Sequence, residues 1–98
     1  MTTTELIRQW AIDRNLHIAE PSKQLIKLVE EMGELASGLA RQDEYEIIDA
    51  LGDMYVVMTI LAQQLGLDIE NCIDSAYEVI KNRKGKMVGG IFIKEETE

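Results

Sequence analysis

Apolar residues recur at helical spacing in four segments of the chain, and short polar connectors separate these segments. A period near 3.6 residues is typical of helices that bury one face. The four helices are predicted at about residues 4–14, 22–41, 44–65 and 68–83. Thr4, Ser22 and Asp68 are the predicted N-caps, and Gly66 is predicted to end the third helix.

The C-terminal segment does not follow the helical period. In KMVGGIFIK, two short apolar stretches flank Gly89-Gly90, a composition typical of a tight hairpin turn. The predicted fold is therefore all-α, a four-helix bundle with a short C-terminal β-hairpin, in one domain that covers residues 1–98.

The third predicted helix is apolar on nearly every face. Within residues 47–62 the polar side chains are Asp49, Asp53, Thr59 and the phenol of Tyr55. Such a helix needs cover on nearly every side, which a 98-residue monomer can hardly supply. We therefore expect a homodimer or homotetramer with this helix at its centre. A monomer in which the helix forms a large core is the alternative.

Composition and charge narrow the possible functions. The 98 residues are 46% hydrophobic and 29% charged, as in a soluble globular protein. A net charge of −8 argues against sequence-independent binding to DNA or RNA, which relies on Lys and Arg. The charge does not argue against a phosphorylated small molecule, because divalent cations bridge two sets of negative charges.

The sequence also bears on the expected compartment. The single cysteine, Cys72, permits no intrachain disulfide, and the longest apolar run, residues 54–58, is far too short to span a membrane. The opening residues, MTTTELIRQW, lack the apolar core of a signal peptide. A cytoplasmic protein that does not contact membranes is expected.

A first acidic group, Glu30-Glu31-x-x-Glu34, borders the apolar stripe of the second predicted helix. Each residue turns a helix by about 100°, so Glu31 and Glu34 are neighbours on one face, and so are Glu30 and Glu34. Like charges at this spacing destabilise a helix. A solvated face is the alternative explanation, above all for Glu30.

A second acidic group, Glu46, Asp49 and Asp53, follows one stripe of the third predicted helix. Asp49 and Asp53 have apolar neighbours, among which an unpaired carboxylate would become protonated. Asp49 and Asp53 would also repel each other and the acids of the second helix. A bound cation removes this repulsion, because sites of several carboxylates suit Mg²⁺ or Mn²⁺. A solvated face is again the alternative. A di-iron or di-manganese redox site is disfavoured, since such bundles supply Glu-x-x-His pairs and the one histidine, His17, belongs to no such pair.

These segments resemble the all-α NTP pyrophosphohydrolases, the MazG and dimeric dUTPase group. That family carries E-E-x-x-E on one helix and E-x-x-D on the next. KLVEEMGELASGL matches the first half, EIIDALGDMYVVM resembles the second, and KNRKGKMVGGIFIKEE is similar to the tail of phage-type MazG-like proteins. The resemblance covers nearly the whole chain.

One position departs from the family signature. If Asp53 is the final Asp, its partner Glu falls at Ala50, which cannot bind a metal. Asp49, one turn before Asp53, is the natural substitute, with Glu46 as an outer ligand. The literal match, Glu46-x-x-Asp49, is the alternative.

The resemblance implies Mg²⁺-dependent hydrolysis of a nucleoside triphosphate between the α and β phosphates, which gives the monophosphate and pyrophosphate. On this basis Glu31, Glu34, Asp49 and Asp53 are the predicted metal ligands. Glu30 is the predicted residue that orients or deprotonates the attacking water.

Cationic side chains are candidates for holding the phosphates. Lys81, Arg83 and Lys84 lie near the end of the fourth predicted helix, and Lys27 lies one turn before Glu31. A favourable interaction with the helix dipole explains the C-terminal group equally well.

Two further residues are candidates for substrate binding. Asn82 could hydrogen-bond the substrate, or it is an ordinary surface residue. Trp10 could stack on the base, although its spacing from Leu6 and Ile7 favours a position in the core.

Two other functions compete with hydrolysis. The chain could be a non-catalytic helical interaction or regulatory protein that keeps the family fold, which Ala50 favours and the retained acids oppose. It could also be a metal-buffering bundle, which would bind cations without turnover.

Overall fold

Four helices and one β-hairpin make up the chain, in a computed structural model that describes residues 1–96. The helices are α1 (Thr3–Asp13), α2 (Pro21–Arg41), α3 (Glu44–Gln64) and α4 (Ile69–Ile80), and the antiparallel strands are β1 (Gly85–Val88) and β2 (Ile91–Lys94). The predicted four-helix fold with a C-terminal hairpin is confirmed. Residues 97 and 98 of the predicted domain lie outside the described residues. No helix within residues 1–96 has the length and apolar character needed to cross a membrane.

The start of α1 lies ahead of the predicted one. Thr2 caps this helix, because its hydroxyl accepts a hydrogen bond from the Glu5 N–H at 3.1 Å and the Glu5 carboxylate accepts one from the Thr2 N–H at 3.4 Å. This capping box satisfies two backbone donors at once. The prediction of Thr4 as the cap is therefore wrong.

Two other helix ends also differ from the prediction. Pro21 is the first residue of α2, where its missing N–H needs no partner, so Ser22 lies inside the helix and is not its cap. At the other end of the chain, α4 stops at Ile80 rather than near Arg83. Asp68 is confirmed as the N-cap of α4, since its carboxylate accepts a backbone N–H at 2.8 Å.

The helices α2 and α3 pack side by side in opposite directions. Gly38 of α2 lies so close to α3 that an added Cβ would stand 3.3 Å from the Cγ1 of Ile47. Asp43 caps α3, and its N–H bonds back to the Gly38 carbonyl at 2.9 Å. This tight connection sets the register of the pair, in which the carboxyl groups of Glu31 and Asp53 are close enough to repel each other.

The helix α1 and the connector after it pack on another side of α3. Ala11 is fully buried there, and the Thr4 hydroxyl lies 2.7 Å from the Tyr55 phenol. Gln64 donates a hydrogen bond, at 3.0 Å, into a 3₁₀ turn (Leu16–Ile18) that the apolar pattern did not predict. The buried apolar side chains of the described residues are Ala11, Ala50, Val57, Ile60 and Ala62.

Among the described elements, α4 packs only against α3 and the hairpin packs against no helix; we call residues 69–94 the arm. Arg8 of α1 holds the beginning of α4 through ion pairs with Asp68 at 3.3 Å and Glu70 at 3.6 Å. Beyond that point every residue from 71 to 96 is exposed, and neither strand packs against a helix. The arm thus contributes nothing to the buried core.

The hairpin has the predicted two-residue turn. Gly89 and Gly90 have φ values of +57° and +81°, in the left-handed region that glycine adopts without strain. The flanking strands pair Val88 with Ile91 and Gly85 with Lys94. The prediction of a tight turn at this dipeptide is confirmed.

Candidate functional site

Glu31 lies in the contact between α2 and α3. It shares one line of α2 with Gln24 and Gly38, at seven-residue spacing, and all three are buried. The Gln24 side chain donates a hydrogen bond to the Val57 carbonyl at 3.4 Å, so this line faces α3. Glu31 is 7% exposed, an unusual depth for a glutamate, which is seldom buried unless it is paired.

Other carboxyl groups surround Glu31. Burial raises the pKa of Glu31 above its ordinary value of 4.5, and the adjacent carboxyl group of Glu34 and then the charge of Asp53 raise it further. The positive charge of Lys27, one turn earlier on α2, acts in the opposite direction. Glu31 is thus poorly solvated, and the neighbouring acids oppose its ionisation.

Asp53 is half-buried on α3 and lies near acids of both helices. Burial is again the main cause that raises its pKa, followed by the charges of Asp49 and Glu34, while Lys27 lowers it. Glu34 and Asp49 themselves are exposed. Asp49 thus lies at the edge of α3, not enclosed by the apolar residues beside it in the sequence. The structure brings Glu31, Glu34, Asp49 and Asp53 together, and we call these four residues the carboxylate cluster.

The carboxylate cluster has the donor chemistry of a site for a hard divalent cation. The Oε2 atom of Glu31 is buried and has no hydrogen-bond partner, and a buried acceptor in that state is costly. Mg²⁺ and Mn²⁺ prefer such oxygen ligands. Within residues 1–96, however, no three Asp, Glu, His or Cys side chains converge as a preformed ligand set. The four carboxylates are neighbours, but in the described chain no three of them are placed to hold one ion together.

Glu30 and Glu46 lie in different surroundings. Glu30 is exposed and directly precedes Glu31 on α2. Glu46 is half-buried in the first turn of α3, where it packs near Gly38 and accepts a hydrogen bond from Arg41. Glu46 is not among the causes of the raised pKa values of the cluster. The structure therefore does not bring Glu46 into the carboxylate cluster.

Ala50 is the position at which α3 departs from the family signature if Asp53 is the final Asp. This residue is 1% exposed and lies on α3, three residues before Asp53. A glutamate at this position would have to be accommodated at a buried site. Asp49 directly precedes Ala50, so its side chain points about 100° away around the helix, and it is exposed.

The predicted phosphate-binding residues are divided between two places. Lys27 is exposed beside the carboxylate cluster. Lys81, Arg83 and Lys84 follow the end of α4, and Lys81 pairs there with Glu78 at 2.6 Å. Within the described residues neither α4 nor the hairpin packs against α2, the helix that carries Glu31 and Glu34.

Asn82, Arg83 and Lys84 line one open cleft between the end of α4 and the end of β2. Lys94 lines the same cleft, because the strand register pairs it with Gly85. The sequence reasoning missed Lys94 as a candidate. The turn at residues 89–90 is the signal that identifies it, since residues equidistant from a two-residue turn pair across the strands.

Trp10 lies on the outside of α1. It is 46% exposed, and the Arg14 guanidinium lies 4.1 Å from the centre of its ring. Ala11 occupies the inner face of this helix, so its neighbour in sequence points elsewhere. The prediction that Trp10 lies in the core is therefore wrong. A stacking role for Trp10 stays a prediction.

The sequence profile of the MazG-like family matches residues 12–90. The chain belongs to the MazG-like family. This MazG-like chain is also similar to a protein of Haemophilus phage HP1 (strain HP1c1), an "uncharacterized 18.2 kDa protein in rep-hol intergenic region", with 52% identity over 75 residues. Those residues make up 76% of the chain but 42% of the phage protein, so the chain spans less than half of that relative. No solved structure gives a significant match.

The MazG-like match contains the whole carboxylate cluster together with Glu30, Lys27 and the end of α4. Trp10 and Lys94 lie outside the matched residues. The family match therefore covers the acids of α2 and α3, and it does not reach Trp10.

Proposed function

We propose that this MazG-like chain is a Mg²⁺-dependent nucleoside triphosphate pyrophosphohydrolase, which cleaves a (d)NTP to a (d)NMP and pyrophosphate. The observation that carries the proposal is the carboxylate cluster: four acids from two helices lie together, and one buried oxygen of Glu31 has no hydrogen-bond partner. The choice of substrate comes from the resemblance to all-α NTP pyrophosphohydrolases. Mn²⁺ is expected to replace Mg²⁺, because both ions prefer oxygen ligands.

In this proposal the carboxylate cluster holds the metal. A bound Mg²⁺ supplies positive charge against the triphosphate and lowers the pKa of a coordinated water. Glu31 provides an oxygen from the floor of the site, since it is buried, and Glu34 and Asp49 provide oxygens from the exposed rim. The four side chains have to reorient to bind one ion, because no three of them converge in the described chain.

Glu30 is the proposed base for the attacking water. It is exposed and directly precedes Glu31, so substrate and water have access to its carboxylate. Glu30 would accept a proton of the water as the water oxygen bonds to one phosphorus of the α–β phosphoanhydride and the bond between the α and β phosphates breaks, which releases the monophosphate and pyrophosphate. Lys27, on the same helix and next to the cluster, offsets the negative charge of the phosphates.

A substrate panel tests the proposed function. The protein is incubated with canonical and modified NTPs in the presence of Mg²⁺ or Mn²⁺, and released pyrophosphate and nucleoside monophosphate are measured. Equal amounts of both products are expected, and release of orthophosphate instead would contradict cleavage between the α and β phosphates.

A non-catalytic interaction protein is the second candidate, and Ala50 favours it. The position of the family's glutamate is a buried alanine in the helix contact, and the remaining carboxylates do not converge in the described chain. This candidate predicts a folded protein that releases no pyrophosphate from any NTP. Calorimetric titration with Mn²⁺ separates it from a metal-buffering bundle, which would bind the ion without turnover.

A further inference from the structure

Arg41 is the one basic residue in the acidic segment of the chain. Residues 30–53, which contain the carboxylate cluster, include eight Asp and Glu residues and no other Lys or Arg. Arg41 is the last residue of α2, and it lies seven residues after Glu34, so both are on one side of the helix. The predicted phosphate-binding residues did not include it. A lone cation among so many acids is a candidate for binding a negatively charged group of the substrate.

The Arg41 side chain leans back along α2 toward the carboxylate cluster. Its Nε atom donates a hydrogen bond, at 3.3 Å, to the Oγ atom of Ser37, one turn earlier on the helix. Ser37 is three residues from Glu34, which is about 4.5 Å of helix rise. On the facing helix α3, Arg41 pairs with Glu46, three residues before Asp49. The guanidinium thus lies beside the cluster, at the end that is nearer the connector between α2 and α3.

The contacts that Arg41 makes in the described chain are easily exchanged. Its side chain is 56% exposed, and that of Glu46 is 29% exposed. The Nη1 atom lies 3.9 Å from the Asp43 carboxylate, which is beyond hydrogen-bond distance. Arg41 is not among the causes that lower the pKa of Glu31 or Asp53, so its charge acts on Glu46 rather than on the cluster. Because exposed ion pairs are weak, a ligand of higher charge displaces Glu46 from Arg41.

A phosphate group is the ligand that fits this arginine. A guanidinium presents parallel N–H donors that bind two oxygens of one phosphate, and such charge-assisted bonds are stronger than neutral hydrogen bonds. In an NTP the β and γ phosphates carry most of the negative charge, and the proposed cleavage releases them together as pyrophosphate. Lys27 lies seven residues before Glu34 and Arg41 seven residues after it. The exposed acids of α2 thus lie between two cations of the same helix.

We propose that Arg41 binds the β and γ phosphates of the substrate and that it leaves Glu46 to do so. The carboxylate cluster then lies between Lys27 and Arg41 of the same chain. Glu46 holds the Arg41 side chain in place until the phosphates bind, and it is not a ligand of the metal. This role deepens the proposed function and rests on it, since it assigns a phosphate-binding residue that the family signature described above does not contain.

Steady-state kinetics of NTP hydrolysis tests this role. Arg41→Ala removes the phosphate contact, so KM is expected to rise by about 10-fold or more, with a smaller change in kcat. Glu46→Gln releases Arg41 and keeps the packing near Gly38, so KM is expected to fall by about two- to fivefold, the range that an exposed ion pair is worth. Arg41→Lys keeps the charge without the paired donors, so its KM should lie between those of Arg41→Ala and the wild type.

A purely structural role for the ion pair predicts a different result. If Arg41 and Glu46 only fix the connector, both variants break the same contact, so Tm and activity should fall together in both, and that outcome would overturn the proposal. The matched control is Lys23→Ala, which removes the same charge from an exposed position of α2. Lys23 is about 16 Å of helix rise from Glu34, beyond the range of a screened charge, so its KM should stay within about twofold of the wild type.

Calorimetric titration tests the contact without turnover. Pyrophosphate and a nucleoside monophosphate are each titrated into the wild type and Arg41→Ala in the presence of Mg²⁺. The variant is expected to bind pyrophosphate about 10-fold more weakly and the monophosphate within about twofold of the wild type, because the monophosphate has no β or γ phosphate. Equal weakening for both ligands would overturn the assignment of Arg41 to the β and γ phosphates.

The two experiments separate the failure of the Arg41 contact from that of the proposed function. NTP turnover with an unchanged KM in Arg41→Ala rejects the contact and keeps the hydrolase. Pyrophosphate binding that depends on Arg41, without turnover of any NTP, keeps the contact and rejects the hydrolase. A wild type that binds no pyrophosphate and turns over no NTP rejects both.

Discussion

The pair of helices α2 and α3 and the arm are stabilised in different ways. In the pair, a tight connection and close contact at Gly38 bring the helices together, and the contact buries the acid Glu31. The arm contains no buried residue, and its basic segment, residues 79–94, has a charge opposite to that of residues 30–53. The carboxylates of the pair thus repel each other, while the arm has exposed apolar side chains and exposed cations.

This difference shows that the local structure of an element and the place where that element packs have separate causes in this protein. The arm has well-defined helix caps and a well-defined turn, yet in the described chain only Arg8 and the packing of α4 on α3 hold it. The pair is positioned by its own contacts, yet its acids oppose each other's ionisation. The pair has buried residues and an excess of acids, whereas the arm has no buried residue and a basic segment. The same kind of change made in both regions therefore shows which of them turnover or stability depends on.

The largest expected difference is between two variants that carry the same change, Asp to Asn, one in each region. Asp53→Asn removes a carboxylate from the cluster, and we expect pyrophosphate release to fall by about 100-fold or more, since even outer partners of metal ligands are worth 10–100-fold. Asp74→Asn makes the same change at an exposed position of the arm and should leave turnover within about twofold. Steady-state kinetics gives both values, and circular dichroism verifies equal helix content. Equal activity of the two variants would remove Asp53 from the site.

The next effect concerns the apolar stripe of the arm. Ile73 and Ile80 are 49% and 52% exposed in the isolated chain, where their replacement by serine should change stability by about 0.5 kcal/mol or less. If a partner buries them, each contributes about 1.5–3 kcal/mol, so the Kd of the dimer rises at least about 10-fold for each replacement. Sedimentation equilibrium measures this Kd. Glu78→Ser, on the polar face of α4, is the control, and equal effects of all three variants would argue against a buried stripe.

A smaller effect is expected from the pH dependence of stability. The pKa values of Glu31 and Asp53 are raised above their ordinary values of 4.5 and 3.8, mainly by burial. Their protonated forms favour the folded state, so this contribution is fully present below the ordinary values and is lost as the pH rises through the raised ones. With EDTA present, Tm should therefore fall as the pH rises above the ordinary pKa values of these two carboxyl groups.

Glu31→Gln should flatten this pH dependence, because glutamine has no charge to desolvate. The matched control is Glu30→Gln, the neighbouring exposed position, which should keep the wild-type slope. Mg²⁺ at 100 times its Kd should stabilise the wild type by about 2.7 kcal/mol, and Glu31→Gln by less. A wild-type slope in Glu31→Gln would mean that other groups control the pH response.

The smallest expected effect is at the junction of the two regions. Arg8 pairs with Asp68 and Glu70, whose side chains are 43% and 45% exposed, and such ion pairs contribute about 0.2–1 kcal/mol. Arg8→Ala should therefore lower the free energy of unfolding by about 1 kcal/mol at most and speed amide hydrogen exchange at the start of α4. Arg14→Ala, which removes a contact with the Trp10 ring and a hydrogen bond to the Trp10 carbonyl, should leave α4 unchanged. Faster exchange throughout α2 and α3 would show that Arg8 supports the whole chain.

Local signals in the sequence were sufficient for the architecture. The apolar period located all four helices, and Gly89-Gly90 located the hairpin turn, because these preferences depend on residues a few positions apart. Each wrong prediction concerned a choice between two nearby residues that could begin the same helix with similar stability. Thr2 displaced Thr4 as a cap by forming a capping box with Glu5, and Pro21 displaced Ser22 from the start of α2. Such alternatives differ by about 1 kcal/mol, which a period of apolar residues does not resolve.

The sequence by itself determined the helices, the turn, the family signature and the acids that belong to it. Only the tertiary structure decided that Glu31 is buried while Glu34 is exposed, that Asp49 lies at the rim, and that Lys27 and Lys84 lie in different places. The physical reason is that helical geometry fixes the directions of side chains relative to one another, whereas burial depends on which distant segment occupies each direction. Desolvation and charge repulsion, which set the chemistry of the carboxylate cluster, follow from those distant contacts.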